Sequence, residues 1–276
     1  MISVGLIKSF KRGLFTSGGG VNLNIGYAFT QAQNSRFNNG TTATGSIDGS
    51  AVFDFQDVAV ATAEFETRHN ITFGLDFRER FFGDFDTQLG LVFIAREGRP
   101  YSYVFNGAGR FTDSVTTPGQ LLYVPTGPTD PNVTYASFTS GGVTQTAAQA
   151  SAALDTFITN DDCLSRARGR SISRNTCRND WFKDLDLRIS QELPGVGNFF
   201  GIKDRVRVYA DFDNFLNLID DGLNISRSRG TSLTLADGNV DAQGRYVYNN
   251  VRTNFNNFIG STASLWRVQF GVSYSF

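Results

Sequence analysis

Two pairs of carboxylates are the groups in this sequence whose type and spacing could do acid–base chemistry. Asp184 and Asp186 stand two positions apart, and Asp211 and Asp213 repeat that spacing. On a strand, both side chains of such a pair project from one face, where one can act as the acid and the other as the base. Arginines stand at matching positions on the same segments: Arg188, Arg205 and Arg207. They favour ion pairs over catalysis, so the sequence predicts a protein that is not an enzyme.

The single histidine, His69, adds little chemistry. It stands in "TRHNIT" without a partner for a nucleophilic triad, so a polar strand-end residue is the favoured interpretation. Asp48, Asp54 and Asp57 lack the spacing of a calcium loop, and "TSGGG" precedes a strand instead of a phosphate-binding helix. We therefore expect neither a metal nor a cofactor.

The two cysteines, Cys163 and Cys177, lie 14 positions apart in a polar stretch. A zinc site needs four ligands, and the one histidine is far away in sequence. A disulfide that pins a loop in an oxidising compartment is the favoured interpretation, with two unrelated thiols as the alternative.

The same stretch is crowded with arginines, which are Arg166, Arg168, Arg170, Arg174 and Arg178. They can bind an anionic ligand or a lipopolysaccharide phosphate, or they can pair with Asp161, Asp162 and Asp180. Just before them, "TQTAAQASAALDTFIT" carries apolar residues at helical spacing and predicts a short helix packed under its neighbours.

Composition narrows the class of protein. Of 276 residues, 40% are hydrophobic and 18% are charged, so the chain is not of the disordered type. A formal net charge of -1 gives no field for nucleic acid, and that partner is excluded. The longest apolar runs, such as "LGLVFIA", are far too short for a membrane-spanning helix. The N-terminus has no secretory signal, so either the protein stays inside the cell or the sequence lacks its true beginning.

Alternation of apolar and polar residues predicts strands. Seven segments carry it: 2–10, 21–30, 70–80, 84–96, 183–191, 204–215 and 267–276. Short connections alternate strictly with long ones, because segments one and two, three and four, and five and six are joined by few residues. Short turns at one end and long loops at the other are typical of an outer-membrane β-barrel.

The polar sides of these segments carry charges of both signs: Asp184, Asp186, Arg188, Arg205, Arg207, Asp211, Asp213 and Arg267. The chain holds 21 arginines and 4 lysines, and arginine suits ion pairs in confined places. We expect these charges to face a barrel lumen, with a solvated sheet face as the alternative. Seven strands cannot close in the usual even-numbered manner, which makes the chain part of a larger barrel.

The C-terminal segments also resemble a known family. "VRVYADFDNFLN", a long loop and "WRVQFGVSYSF" resemble the final strands of TonB-dependent outer-membrane receptors, in which an Asp-x-x-Asn-φ-x-Asn pattern precedes a last strand ending in Phe. "LLYVPTGPTDPNV", "DDCLSRARG" and "RNTCRNDWFKDLDLRISQELPG" are similar to the Oar-like subgroup. The resemblance is best over residues 68–276.

That resemblance implies a 22-stranded barrel in the outer membrane of a Gram-negative bacterium, with an N-terminal plug domain and a TonB box. Residues 1–276 would be its C-terminal part, about seven strands with long extracellular loops, without the plug and the earlier strands. Tyr274 and Phe276 would form the terminal signal that the barrel assembly machinery reads. The implied partners are outer-membrane lipid, TonB through the plug only, and a bulky nutrient of unknown identity.

Two other functions remain open from the sequence. The first is a stand-alone β-barrel or β-sheet protein that binds a ligand through its long loops. The second is a barrel enzyme that uses Asp184 or Asp211.

Overall fold

A computed structural model describes residues 1–35, 51–54, 57–106, 119–201, 203–255, 258–259 and 264–276. The strands are β1 Ile2–Phe10, β2 Gly20–Phe29, β3 Gln33–Asn34, β4 Ala61–Thr62, β5 His69–Phe82, β6 Phe85–Arg96, β7 Pro100–Asn106, β8 Tyr123–Val124, β9 Val133–Tyr135, β10 Phe138–Ser140, β11 Val143–Gln145, β12 Arg170–Ser171, β13 Cys177–Arg178, β14 Phe182–Pro194, β15 Arg205–Asp213, β16 Arg227–Ser228, β17 Ser232–Val240, β18 Tyr246–Asn249, β19 Phe258–Ile259 and β20 Arg267–Ser275. The helices are α1 Ala147–Asn160, α2 Asp162–Ser165 and α3 Phe215–Ile219, with a 3₁₀ helix at Val196–Phe200.

The largest unit is a seven-stranded sheet in the order β1-β2-β5-β6-β14-β15-β20, in which every neighbouring pair is antiparallel. These strands are the seven alternating segments of the sequence, so the prediction of a large antiparallel sheet is confirmed. β1 and β20 are the edge strands, and each pairs with a single neighbour within the described part of the chain.

The register gives the sheet one apolar and one polar face. One row across the sheet consists of Phe10, Val21, Phe77, Leu89, Ile189, Ala210 and Phe270. The adjacent row, which projects to the other side, consists of Ser9, Asn22, Asp76, Gly90, Arg188, Asp211 and Gln269. Because the side-chain period of a strand is two, a one-residue slip in any pair would mix the two faces.

The polar face carries a hollow and is called the concave face below. A hollow of about 540 Å³ spans β1, β2, β5, β6 and β14 and is lined by polar-face residues such as Asn22, Asp76, Gln88 and Ser190. The apolar face is called the convex face, and among the described residues several of its side chains are exposed. Phe270 is 78% exposed and Val272 is 71% exposed on that side.

The hydrophobic core lies outside this sheet, in the three long connections, of which the described parts of 30–68, 97–181 and 214–266 are called the loop cap below. Fully buried side chains of the cap include Tyr101, Tyr103, Phe105, Leu122, Leu154, Leu164, Leu235 and Tyr248. In the seven-stranded sheet, by contrast, Val21 and Ala95 are the buried apolar residues among those described. The cap thus folds around a core of its own.

A second sheet organises the loop cap, with strand order β13-β7-β17-β18-β9. Its β7–β17 and β18–β9 pairs are parallel. The helix predicted from the sequence is confirmed as α1, which buries Ala150, Leu154 and Ile158 against this core. The Thr146 hydroxyl caps it by accepting from Gln149 N–H, and Gln149 Oε1 accepts in turn from the Thr146 backbone N–H. No helix among the described residues has the length and apolar character needed to cross a membrane.

Buried carboxylates fasten the short turns at the opposite end of the sheet. Glu79 accepts hydrogen bonds from the backbone N–H groups of Phe15 (3.1 Å) and Thr16 (2.8 Å) in the β1–β2 turn. Asp204 accepts from Gly197 N (2.7 Å) and Asn198 Nδ2 (2.6 Å) in the β14–β15 turn. Backbone donors that would otherwise need water are satisfied in this way.

Candidate functional site

The arginine-rich stretch of the loop cap borders an open cleft of about 700 Å³. Its floor includes the buried residues Tyr101, Ile172 and Cys177. Its walls come from α2 and the residues after it, from 170–180, and from Arg229 of another long connection. The cleft thus lies where two connections meet.

A disulfide between Cys163 and Cys177 closes the base of this cleft, with a Cα–Cα distance of 5.5 Å. It joins α2 to β13, and β13 in turn pairs with β7 of the cap core through Cys177 and Tyr101. Asp161 caps α2 by accepting from the N–H groups of Cys163 (3.0 Å) and Leu164 (2.9 Å). The helix cap and the disulfide together fix one wall of the cleft.

Three of the five arginines named from the sequence hold the cap together. Arg168 forms an ion pair with Asp155 at 2.9 Å and also donates to the Pro125 carbonyl. Arg174 is 4% exposed and donates to Asn34 Oδ1 at 2.7 Å.

The third, Arg178, pairs with the buried carboxylate of Glu66. Burial alone would raise the pKa of Glu66, but the Ala32 N–H and Arg178 outweigh it and hold that pKa below its usual value. In none of these three cases is the partner one of the aspartates that the sequence offered. Arg168 pairs with Asp155 of α1, and distant parts of the cap supply the acceptors of the other two.

The other two arginines, Arg166 and Arg170, are exposed and line the cleft. Among the described residues, no carboxylate oxygen lies within 4.0 Å of either guanidinium. Asp162 and Asp180 are exposed on the same cleft and likewise form no ion pair in that part of the chain. The cleft therefore presents both signs of charge to a ligand.

Arg229 is a cleft residue that the sequence did not reveal. Its guanidinium donates to Tyr101 Oη at 2.7 Å and to Tyr103 Oη at 3.3 Å, and it lies 3.8 Å from Asp161 Oδ2. Tyr103 donates to Asp161 at 2.5 Å, and burial followed by this hydrogen bond raises the pKa of Tyr103. Arg229 thereby ties its own long connection to the disulfide-bonded one.

All eight charged residues that were expected on one side of the strands lie on the concave face, according to the register of β14, β15 and β20. Arg188 pairs with Asp211 at 3.4 Å, and Arg267 pairs with Asp213 at 2.9 Å.

Arg205 and Arg207 differ from the expected pairing with aspartate. Both bind Glu192, at 2.7 and 2.6 Å. The role of Glu192 was not predicted, because this residue lies beyond the alternating segment that ends at residue 191. Strand β14 continues to Pro194, which brings Glu192 opposite Arg207.

The C-terminal aromatics lie at the turn end of the sheet. Tyr274 donates a hydrogen bond to Asp204 at 2.6 Å, and its ring lies 5.8 Å from that of Phe276. Phe276 itself is 96% exposed. Tyr274 therefore anchors β20 to the β14–β15 turn while the last side chain stays accessible.

The chain was compared with protein-family models, with curated proteins and with solved structures, and none of them matches. In the described part of the chain, no group of three or more His, Cys, Asp or Glu side chains is placed to hold a metal ion.

Proposed function

We propose that this chain forms seven consecutive wall strands and the extracellular loops of a TonB-dependent outer-membrane receptor, and that the loop-cap cleft receives the nutrient. The observation that carries the proposal is the polarity of the large sheet. Its concave face is charged and its convex face is apolar and bare. A water-soluble barrel or sandwich has the opposite arrangement, with its apolar side turned inward.

The exposure of apolar side chains on the convex face supports a membrane environment. It includes Val4, Ile25, Ile71, Ile189, Phe270 and Val272, each at least 36% exposed. Soluble monomers rarely expose contiguous apolar patches beyond a few hundred Å². Lipid chains would cover this face, whereas the concave ion pairs would line a polar lumen.

The length of the strands also supports this environment. From His69 to Phe81, β5 takes twelve steps, which span about 40 Å at roughly 3.3 Å per residue. With the usual barrel tilt of about 40°, that length corresponds to about 30 Å of bilayer thickness. Aromatic rings mark both limits: Tyr27 and Trp181 at the loop end, and Phe15 and Phe81 at the turn end.

The two free edges of the sheet fit a larger wall. In an antiparallel sheet of seven strands, β1 and β20 run in the same direction, so closure with antiparallel neighbours requires an odd number of further strands. The 22 strands of the resembled family would leave 22 − 7 = 15 others, which is odd. On this proposal, TonB acts on the receptor through its plug domain.

Cell fractionation tests the proposal. Expressed in a Gram-negative host with an export signal, the chain should sediment with the outer membrane and resist carbonate extraction. Its recovery in the soluble fraction would refute the membrane placement. A second function, a stand-alone protein that binds a ligand through its loops, is favoured by the separate core of the loop cap, and that same soluble fraction would support it.

A further inference from the structure

The lysines of this chain are distributed differently from its arginines. Two of the four are in the short turns, Lys11 and Lys203, and the other two project from the convex face, Lys8 and Lys183. Lys8 Nζ lies 5.5 Å from the centroid of the Phe10 ring, so its stem extends towards the turn end of β1. A long, flexible stem that carries its charge to the edge of an apolar face is typical of lysine at a membrane boundary.

Lys183 occupies the corresponding place at the loop end. Across four neighbouring strands, one row on the convex face consists of Lys183, Ala95, Ile71 and Tyr27. Lys183 is exposed, as is Tyr27 in the same row. This row lies near the loop end of the convex face.

Aromatic rings gather beside this lysine. His69 stacks on Trp181 with centroids 6.1 Å apart, and Tyr27 donates its hydroxyl to, or accepts from, His69 Nδ1 at 2.8 Å. The ring centroids of Phe29 and His69 lie 5.4 Å apart. Ala95 lies between Ile71 and Lys183 in the row next to these rings. We call Tyr27, Phe29, His69, Trp181 and Lys183 the rim patch.

The charge of Lys183 is not neutralised within the described part of the chain, where no carboxylate oxygen lies within 4.0 Å of it. Glu97, the residue after β6, lies beside His69, but its carboxylate Oε2 lies 3.8 Å from the Arg178 guanidinium. The rim patch thus combines one available cation with an amphipathic aromatic platform.

We propose that the rim patch binds the phosphate of a lipid headgroup, with Lys183 as its counter-charge and the rings of Trp181 and Tyr27 at the boundary between headgroup and acyl chain. A compact ammonium group suits a phosphate, and rings with one polar edge suit that boundary. The inference rests on the proposed function, because it requires the convex face to contact lipid.

The test uses the full chain in neutral maltoside micelles, with Trp266→Phe so that Trp181 is the remaining fluorophore. Phosphatidic acid and phosphatidylcholine with the same brominated acyl chains are titrated separately, and quenching of Trp181 is recorded. We expect half-maximal quenching at roughly fivefold less phosphatidic acid, the equivalent of about 1 kcal/mol for one lysine beside an anionic headgroup. Lys183→Gln should abolish that preference, and Lys183→Arg should retain it. Lys203→Gln, at the turn end, serves as the matched control and should leave it unchanged.

The outcomes separate this inference from the function on which it rests. Equal quenching by both lipids, or an undiminished preference in Lys183→Gln, would overturn the headgroup site while leaving the membrane placement intact. Displacement by excess inorganic phosphate would assign a site for free anions and would also overturn it. An absence of quenching by either lipid would overturn the membrane placement itself.

Discussion

Leu91 and Val92 are adjacent apolar residues of β6 whose side chains project to opposite faces of the sheet. Leu91 lies on the convex face opposite Leu187, and Val92 lies on the concave face opposite Asp186. Replacing each in turn by arginine introduces the same charge at the same depth. The pair therefore tests which face contacts lipid.

The expected difference follows from the two environments. An arginine on the lipid face of a barrel near the bilayer midplane costs about 2–4 kcal/mol. We expect that loss in the free energy of unfolding for Leu91→Arg. At Val92 the new guanidinium would stand beside the carboxylate of Asp186 in a polar lumen, so its effect should stay within about 1 kcal/mol of zero.

Denaturant unfolding in phosphatidylcholine vesicles, followed by tryptophan fluorescence, measures both values. The result that would refute the reasoning is a Leu91→Arg chain as stable as the Val92→Arg chain. If the convex face met water, Leu91→Arg would replace a half-buried apolar group with one whose charge can reach solvent, and the cost would be well below that range. A larger loss at Val92 would mean that the two faces had been assigned the wrong way round.

Three further predictions concern the loop cap. Thiol labelling of the unfolded chain without reductant should modify neither Cys163 nor Cys177, and quantitative labelling would contradict the disulfide. Replacing both cysteines by serine should lower the free energy of unfolding of the cap by about 3 kcal/mol, as expected for a loop of this length. Leu154→Ala, at a fully buried position of α1, should cost about 2–5 kcal/mol in a thermal or denaturant melt, and a loss below 1 kcal/mol would place that helix outside the core. The lowered pKa of Glu66 contributes stability that is present above its unfolded value of 4.5 and is lost as pH falls through the folded pKa. The melting temperature of the Glu66→Gln cap should therefore depend less on pH between those two values. An unchanged pH dependence would show that Glu66 does not contribute to acid unfolding.

The seven-stranded sheet could be predicted from the sequence because one physical rule acts along all of its strands. Each has an apolar and a polar environment on opposite sides, so period-two alternation survives even at the weakest segment, where Ile7 falls on the polar side. The cross-strand register then keeps like residues in the same row. Alternation identified the faces, and the short turns identified three of the six neighbouring pairs, β1–β2, β5–β6 and β14–β15.

The second sheet could not be predicted in this way. Strand β7 is buried along all but its last residue, so it reads as a continuous run without alternation. Its partner β17 comes from a different long connection and pairs with it in parallel, and no local sequence pattern predicts such a pairing. The helix α1 was predictable, because it keeps one apolar face towards the core.

The cleft was predictable only in part for the same reason. Sequence proximity placed the arginines near Asp161, Asp162 and Asp180, yet the acceptors for two of them, Arg174 and Arg178, come from residues far away in the chain. Arg168 pairs with Asp155 of the preceding helix. A charged side chain in a folded cap pairs with whichever acceptor the tertiary structure brings near it and buries with it. Arg229 is an arginine outside that stretch, and it also has distant partners, since Tyr101 and Tyr103 belong to another connection.

The pairing of β7 with β17 also couples the two sheets. β7 continues the connection that leaves β6, whereas β17 lies in the connection between β15 and β20. A slip of two residues between β14 and β15 would preserve the faces of the large sheet but would displace these connections by about 7 Å along the strand axis. The cap core, in which Tyr103, Leu235 and Tyr248 are completely buried, does not tolerate such a displacement. Alternation therefore selects the faces of the large sheet, and packing of the loop cap selects among the registers that alternation leaves open.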